Sequence, residues 1–168
     1  MKKLISVPLI SIDKITTLVE QRRAFNFKTC ELSIYETRKE VASFPLSFDG
    51  FTITSMQKGT KQVRFSDLID REYLPGNTII TPSYCKLNID FPEASFEKPT
   101  QCTALTIDNS YVKKQVDEFN EMLEESRFIK SWRILDEPIL IYNNEDLVNI
   151  QMKILRLLDS IPSKLLAS

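Results

Sequence analysis

The sequence predicts a mainly β protein that ends in helices. Apolar residues alternate at period two in short runs between Phe25 and Ile107. Turn signals separate those runs every 8–12 residues or so, the spacing of an antiparallel sandwich or barrel. Beyond Asp108 the apolar spacing turns helical in two stretches, without the strand–helix alternation of a parallel fold.

Residues Met1 to Arg23 have mixed character, with Ile10, Ile12, Ile15 and Leu18 lacking clean periodicity. From Phe25 the chain reads as strand. Cys30, Leu32 and Ile34 alternate with Glu31, Ser33 and Tyr35. Phe44, Leu46 and Phe48 lead to Asp49-Gly50, a strong hairpin signal. Phe51 to Met56 continues as strand, Lys58-Gly59 turns, and Lys61 to Phe65 runs back. Its inward set is either Phe51, Ile53 and Ser55, the more apolar choice, or Thr52, Thr54 and Met56. Ser66 to Arg71 is polar enough for a loop.

Leu74-Pro75-Gly76 is the clearest turn. Proline presets φ at the first central position, and glycine accepts the positive φ of a type II turn at the second. Asn77 to Thr81 follows as strand, then Leu87, Ile89 and Phe91 alternate with polar residues. Pro92 and Pro99 bracket a loop, and Gln101 to Ile107 ends the series.

Asp108-Asn109-Ser110 offers helix N-caps, after which Val112, Val116, Phe119 and Leu123 make one apolar stripe. Trp132 with Ile134, and Ile139 with Ile141, suggest two short strands around Glu137-Pro138. Asn143 or Asn144 caps the second helix, with Glu145 and Asp146 favourable in its first turn. Its apolar face is wide. Leu147, Ile150, Ile154 and Leu157 suit docking on the barrel, while Val148, Met152 and Leu155 suit a second chain. Pro162 to Ser168 reads as the first turn of a further helix, so the chain is expected to be a domain cut from a longer protein.

Composition excludes much chemistry. The 168 residues contain no His, which removes Ser-His-Asp and Cys-His nucleophile pairs and the commonest metal ligand. Cys30, Cys85 and Cys102 lie far apart without C-x-x-C spacing; reduced thiols in a cytosolic core are expected, not zinc. Gly50, Gly59 and Gly76 are too dispersed for a phosphate-cradling loop. Asp67, Asp70 and Glu72 match no calcium loop, and Glu121, Glu124 and Glu125 read as a solvated helix face. Net charge is −1, against direct nucleic-acid binding by this stretch. Lys58, Lys61 and Arg64 read as ordinary surface charge around one hairpin. No run approaches the ~18 apolar residues of a membrane span, and a cytoplasmic location is expected.

The segment Leu74-Pro75-Gly76-Asn77-Thr78-Ile79-Ile80-Thr81-Pro82-Ser83-Tyr84 resembles the second conserved motif of the cupin barrel. In that motif P-G-D is followed by a buried strand, a proline, a turn and a metal-ligating His. Here Asn77 replaces the Asp and Leu87 falls at the His position, so the turn chemistry stays and the metal goes. Such metal-free cupins are similar to the N-terminal regulatory domains of AraC-type bacterial transcription regulators. Phe51 to Gly59, Leu87 to Glu93 and Thr100 to Asp108 resemble that family's strands, and the later helices complete its layout over about Phe25 to Ser160.

The resemblance implies a cupin-like antiparallel β-barrel (double-stranded β-helix or jelly roll) followed by two α-helices. Residues 1–24 would be an N-terminal arm and 25–142 the barrel, with a helix inserted at 109–126. Residues 143–160 would be a closing helix used for dimerisation, and 161–168 would lead to a DNA-binding part absent from this chain. It implies an effector-sensing and dimerisation domain, not an enzyme, without cofactor. Its partners would be a small-molecule effector and a second copy, with DNA reached only through helix-turn-helix units elsewhere. Expected ligand-binding residues are Phe51, Ile53, Tyr84, Leu87, Ile89, Phe91, Leu105 and Trp132; expected dimer contacts are Val148, Met152 and Leu155. The alternative is a stand-alone metal-free cupin-like enzyme or small-molecule-binding protein.

Overall fold

The computed structural model describes residues 20–65, 70–125 and 131–159. Among these residues ten strands and two helices follow in order: β1 (Glu20–Asn26), β2 (Cys30–Thr37), β3 (Val41–Leu46), β4 (Phe51–Lys58), β5 (Lys61–Arg64), β6 (Asp70–Tyr73), β7 (Asn77–Thr81), β8 (Leu87–Phe91), β9 (Thr100–Ile107), α1 (Asn109–Glu125), β10 (Ile139–Tyr142) and α2 (Glu145–Asp159). Two antiparallel sheets face each other. One has the order β1-β2-β9-β4-β7-β10, the other β3-β8-β5-β6. Met56, Val63, Tyr73, Ile79, Leu87, Ile89 and Phe91 fill the space between them.

The tight turns do something other than make hairpins. β3 pairs with β8, whereas β4 pairs with β9 and β7, so Asp49-Gly50 carries the chain from one sheet to the other. Glycine is needed there for space, because a Cβ would stand 2.7 Å from the carbonyl oxygen of Ile107. Gly59 (φ 78°) and Gly76 (φ 95°) make the same kind of crossing, from β4 to β5 and from β6 to β7. The expected type II turn is present: Asn77 N–H donates to Leu74 C=O at 2.9 Å.

Three other expectations change. β1 begins at Glu20, inside the segment expected as an arm, because Gln21 and Phe25 bury while Arg22 stays exposed, a usable strand face. Asp70 and Arg71, expected in a loop, begin β6 opposite Arg64 and Val63. Residues 131–135 form no strand: Asn120 of α1 donates to Trp132 C=O at 2.9 Å and accepts its N–H at 2.6 Å, taking the place of a ladder. The rest of the expected arm (1–19), residues 66–69 of the expected loop and the C-terminal turn (162–168) lie outside the described residues.

The six-stranded sheet is buried on both faces. Its inner face closes the barrel; its outer face receives the helices. Phe25, Leu32 and Ile34 pack with Leu155 of α2, alongside Leu105 and Ile154. Asp108 caps α1 through Ser110 N–H at 2.8 Å, and Asn144 caps α2 through Leu147 N–H at 2.9 Å. Asn143, the other candidate cap, instead accepts from Thr78 Oγ1 at 2.7 Å.

Candidate functional site

β4 settles which residues face in. Thr54 and Met56 point into the barrel, whereas Ile53 and Ser55 face α2 and Phe51 faces α1. The less apolar alternation is the inward one, because the outer face of this strand has a hydrophobic partner of its own.

The expected ligand-binding residues therefore divide among several places. Leu87 and Ile89 line the barrel interior, with Phe91 buried beside them. Ile53 and Leu105 line a cavity of about 90 Å³ under α2. Phe51 and Trp132 line an open groove of about 480 Å³ along α1, where Trp132, 63% exposed, meets Phe119 edge-on at 5.5 Å. Tyr84 is 72% exposed at the β7–β8 connection, with φ 60°. The dimer set also divides. Met152 and Leu155 are buried in their own chain and Val148 is half-buried, whereas Ile150, assigned to docking, is 54% exposed. The helix is rotated from the expected orientation because Leu155 completes the cluster over Leu32 and Ile34.

The barrel interior holds the least expected chemistry. Its walls are mostly apolar: Leu46, Val63, Ile79, Leu87, Ile89 and Ala104. Packing leaves about 20 Å³ free, about the space one water occupies. Within it lies Lys61, its side chain 3% exposed. Lys61 Nζ is 3.1 Å from Cys102 Sγ, 3.4 Å from Glu20 Oε1 and 4.7 Å from the centre of the Phe91 ring. A buried ammonium is costly unless an anion faces it. Burial opposes the charge on Lys61, but Cys102 and Glu20 outweigh it and the net direction is up. Burial also pushes the Cys102 thiol up, against the pull of Lys61, and Glu20 forms the ion pair with Lys61. Tyr73, whose phenol burial raises well above its ordinary range, donates to Thr54 Oγ1 at 3.0 Å.

Lys61 was legible as an inward residue. It shares parity with Val63 and Phe65, both buried, but its charge argued for the surface. Among the described residues no three metal-ligating side chains come together. The three cysteines are free, and only Cys102 is buried. No described helix is long and apolar enough to cross a membrane.

Two facing antiparallel sheets, with helices packed on the outer face of one, define a cupin-like barrel. The family of the AraC-type transcriptional regulator N-terminus matches residues 29–164, and this chain belongs to it. Among solved structures, apo ToxT K231A from Vibrio cholerae is similar at TM-score 0.56 and 13% identity, covering 79% of this chain and 48% of that one. ToxT from the same organism bound to an unsaturated fatty acid gives 0.55 and 12%, covering 79% and 47%. ToxT bound to (E)-4-(8-methylnaphthalen-1-yl)but-3-enoic acid gives 0.53 and 10%, covering 80% and 50%. The chain thus spans about half the length of these structures. No curated protein matches it in sequence.

Proposed function

We propose that this chain is the effector-sensing domain of an AraC-type regulator, taking a small molecule with an apolar body into the barrel beside Lys61. The observation that carries this reading is a lysine buried inside a mostly apolar barrel, where a protein needing only stability would place a hydrophobe. Membership in a regulator family supports it. So do the ligands of ToxT, two acids with apolar bodies. With about 20 Å³ free at rest, the interior must open to admit such a molecule.

Differential affinity for the effector between two arrangements of the domain would change how a DNA-binding part is presented. In this reading the residues ahead of β1 serve as the arm, and 161–168 lead towards that part. The domain pairs with a second copy through the exposed residues of α2, chiefly Ile150. A solution mass corresponding to monomer at tens of micromolar removes the pairing.

The sensing role is tested by thermal unfolding of the full chain with an unsaturated fatty acid. A ligand at 100 times its Kd adds about 2.7 kcal/mol of stability, a readily measured rise in Tm. No shift at saturating, sub-micellar concentrations counts against the reading.

A further inference from the structure

We infer that Glu20 is a resident substitute for the effector's own carboxylate: the effector is an apolar monocarboxylate that replaces Glu20 on Lys61. This rests on the barrel-site reading above.

The ion pairs of the protein carry the argument. On the surface, Arg64 holds Asp90 through both carboxylate oxygens, at 2.7 and 2.9 Å. Inside the barrel, where a pair must be well made to offset desolvation, Lys61 and Glu20 stand 3.4 Å apart. A charge-assisted N–H···O bond ordinarily closes to about 2.8 Å. The second acceptor of Lys61 is a thiol sulfur, a weak one. Among the described residues, an ammonium with three donors thus has no short bond to an anion.

Glu20 is held as loosely by its other partner, the same Oε1 accepting from Thr37 Oγ1 at 3.4 Å. It is the first residue of β1, and β1 lies at the edge of its sheet. Moving its side chain therefore disturbs one strand end and no central ladder. It also vacates space in an interior that otherwise has about 20 Å³ free.

The same features choose the ligand. One buried cation matches one carboxylate, and replacing Glu20 conserves the charge of the site. The remaining wall of Val63, Ile79, Leu87 and Ile89 suits a hydrocarbon body and offers a polyol little. An alcohol of the same body fills the same space but leaves Glu20 in place.

The test is calorimetric titration of the full chain with cis-9-hexadecenoate and with cis-9-hexadecen-1-ol, below their aggregation concentrations. The wild type should prefer the acid. Glu20→Gln keeps the shape and removes the competing charge, so the acid should tighten about tenfold while the alcohol changes little. Lys61→Met should abolish the preference for the acid. An acid affinity unmoved by Glu20→Gln, or an acid preference surviving Lys61→Met, overturns the exchange while leaving the barrel site standing. Failure of both probes to bind the wild type overturns the barrel site itself, and the exchange with it. Should either single variant lose its fold, Glu20→Gln/Lys61→Met leaves no lone charge inside. It should bind acid and alcohol alike, and a retained acid preference overturns the inference.

Discussion

Gln151 of α2 reaches back to β7 and donates its Nε2–H to Thr78 Oγ1 at 3.0 Å. The same amide meets Ser55 Oγ at 2.5 Å, Ser55 and Thr78 lie 2.9 Å apart, and Asn143 closes the ring by donating to Gln151 Oε1 at 3.3 Å. The hydroxyls of Ser55 and Thr78 are buried, so an apolar residue at 151 would strip them of a donor. Gln151→Leu should cost about 1–3 kcal/mol. The urea midpoint should fall at constant m, and the amides of α2 should exchange faster than those of the barrel.

Two glycines with positive φ separate strain from crowding. At Gly59 a Cβ would stand 2.7 Å from Thr100 Cγ2 and 3.1 Å from Thr100 Cα, whereas at Gly76 it would meet open space. Gly76→Ala should show only the conformational cost, about 1–2 kcal/mol. Gly59→Ala should lose more, because β9 must also shift. Equal melting temperatures for the two variants would contradict this ordering.

Asp90 predicts a pH dependence. The Arg64 guanidinium holds its carboxyl below the ordinary 3.8, aided by the Ser43 N–H. A carboxyl depressed by folding stabilises the protein above its unfolded value and loses that contribution as pH falls through its folded value. Asp90→Asn should therefore lower Tm at neutral pH. The gap to the wild type should close as pH drops below about 4.

Trp132 lies on the outer groove, on the opposite side of the sheet from Lys61. Trp132→Ala removes its contact with Phe119, at a cost of about 0.5–1.5 kcal/mol. Affinity for a barrel-bound acid should stay at the wild-type value. A clear loss of affinity would return Trp132 to the binding site.

Much of the fold was legible because strand parity and capping are local. The alternation of Leu87, Ile89 and Phe91, the Pro75-Gly76 turn and the Asp108 cap all behave as their neighbours dictate. Strand pairing is not local. Asp49-Gly50 reads as a hairpin until β8 and β9 arrive to claim its two strands. The site was harder still. Apolarity pointed to Phe51 and Ile53 as lining residues, but helices later in the chain supply that face with its own apolar partners. Conversely, Lys61 is tolerated inside because Glu20, 41 residues earlier, lies opposite it. No local window contains both.

β4 is a party wall between two rooms. Thr54 belongs to the barrel and Ser55 to the helix side, with one peptide bond between them. Whatever displaces the strand on one side necessarily moves a tenant on the other. The two hydrophobic compartments therefore share one strand as their boundary, and α2 rests on its far face.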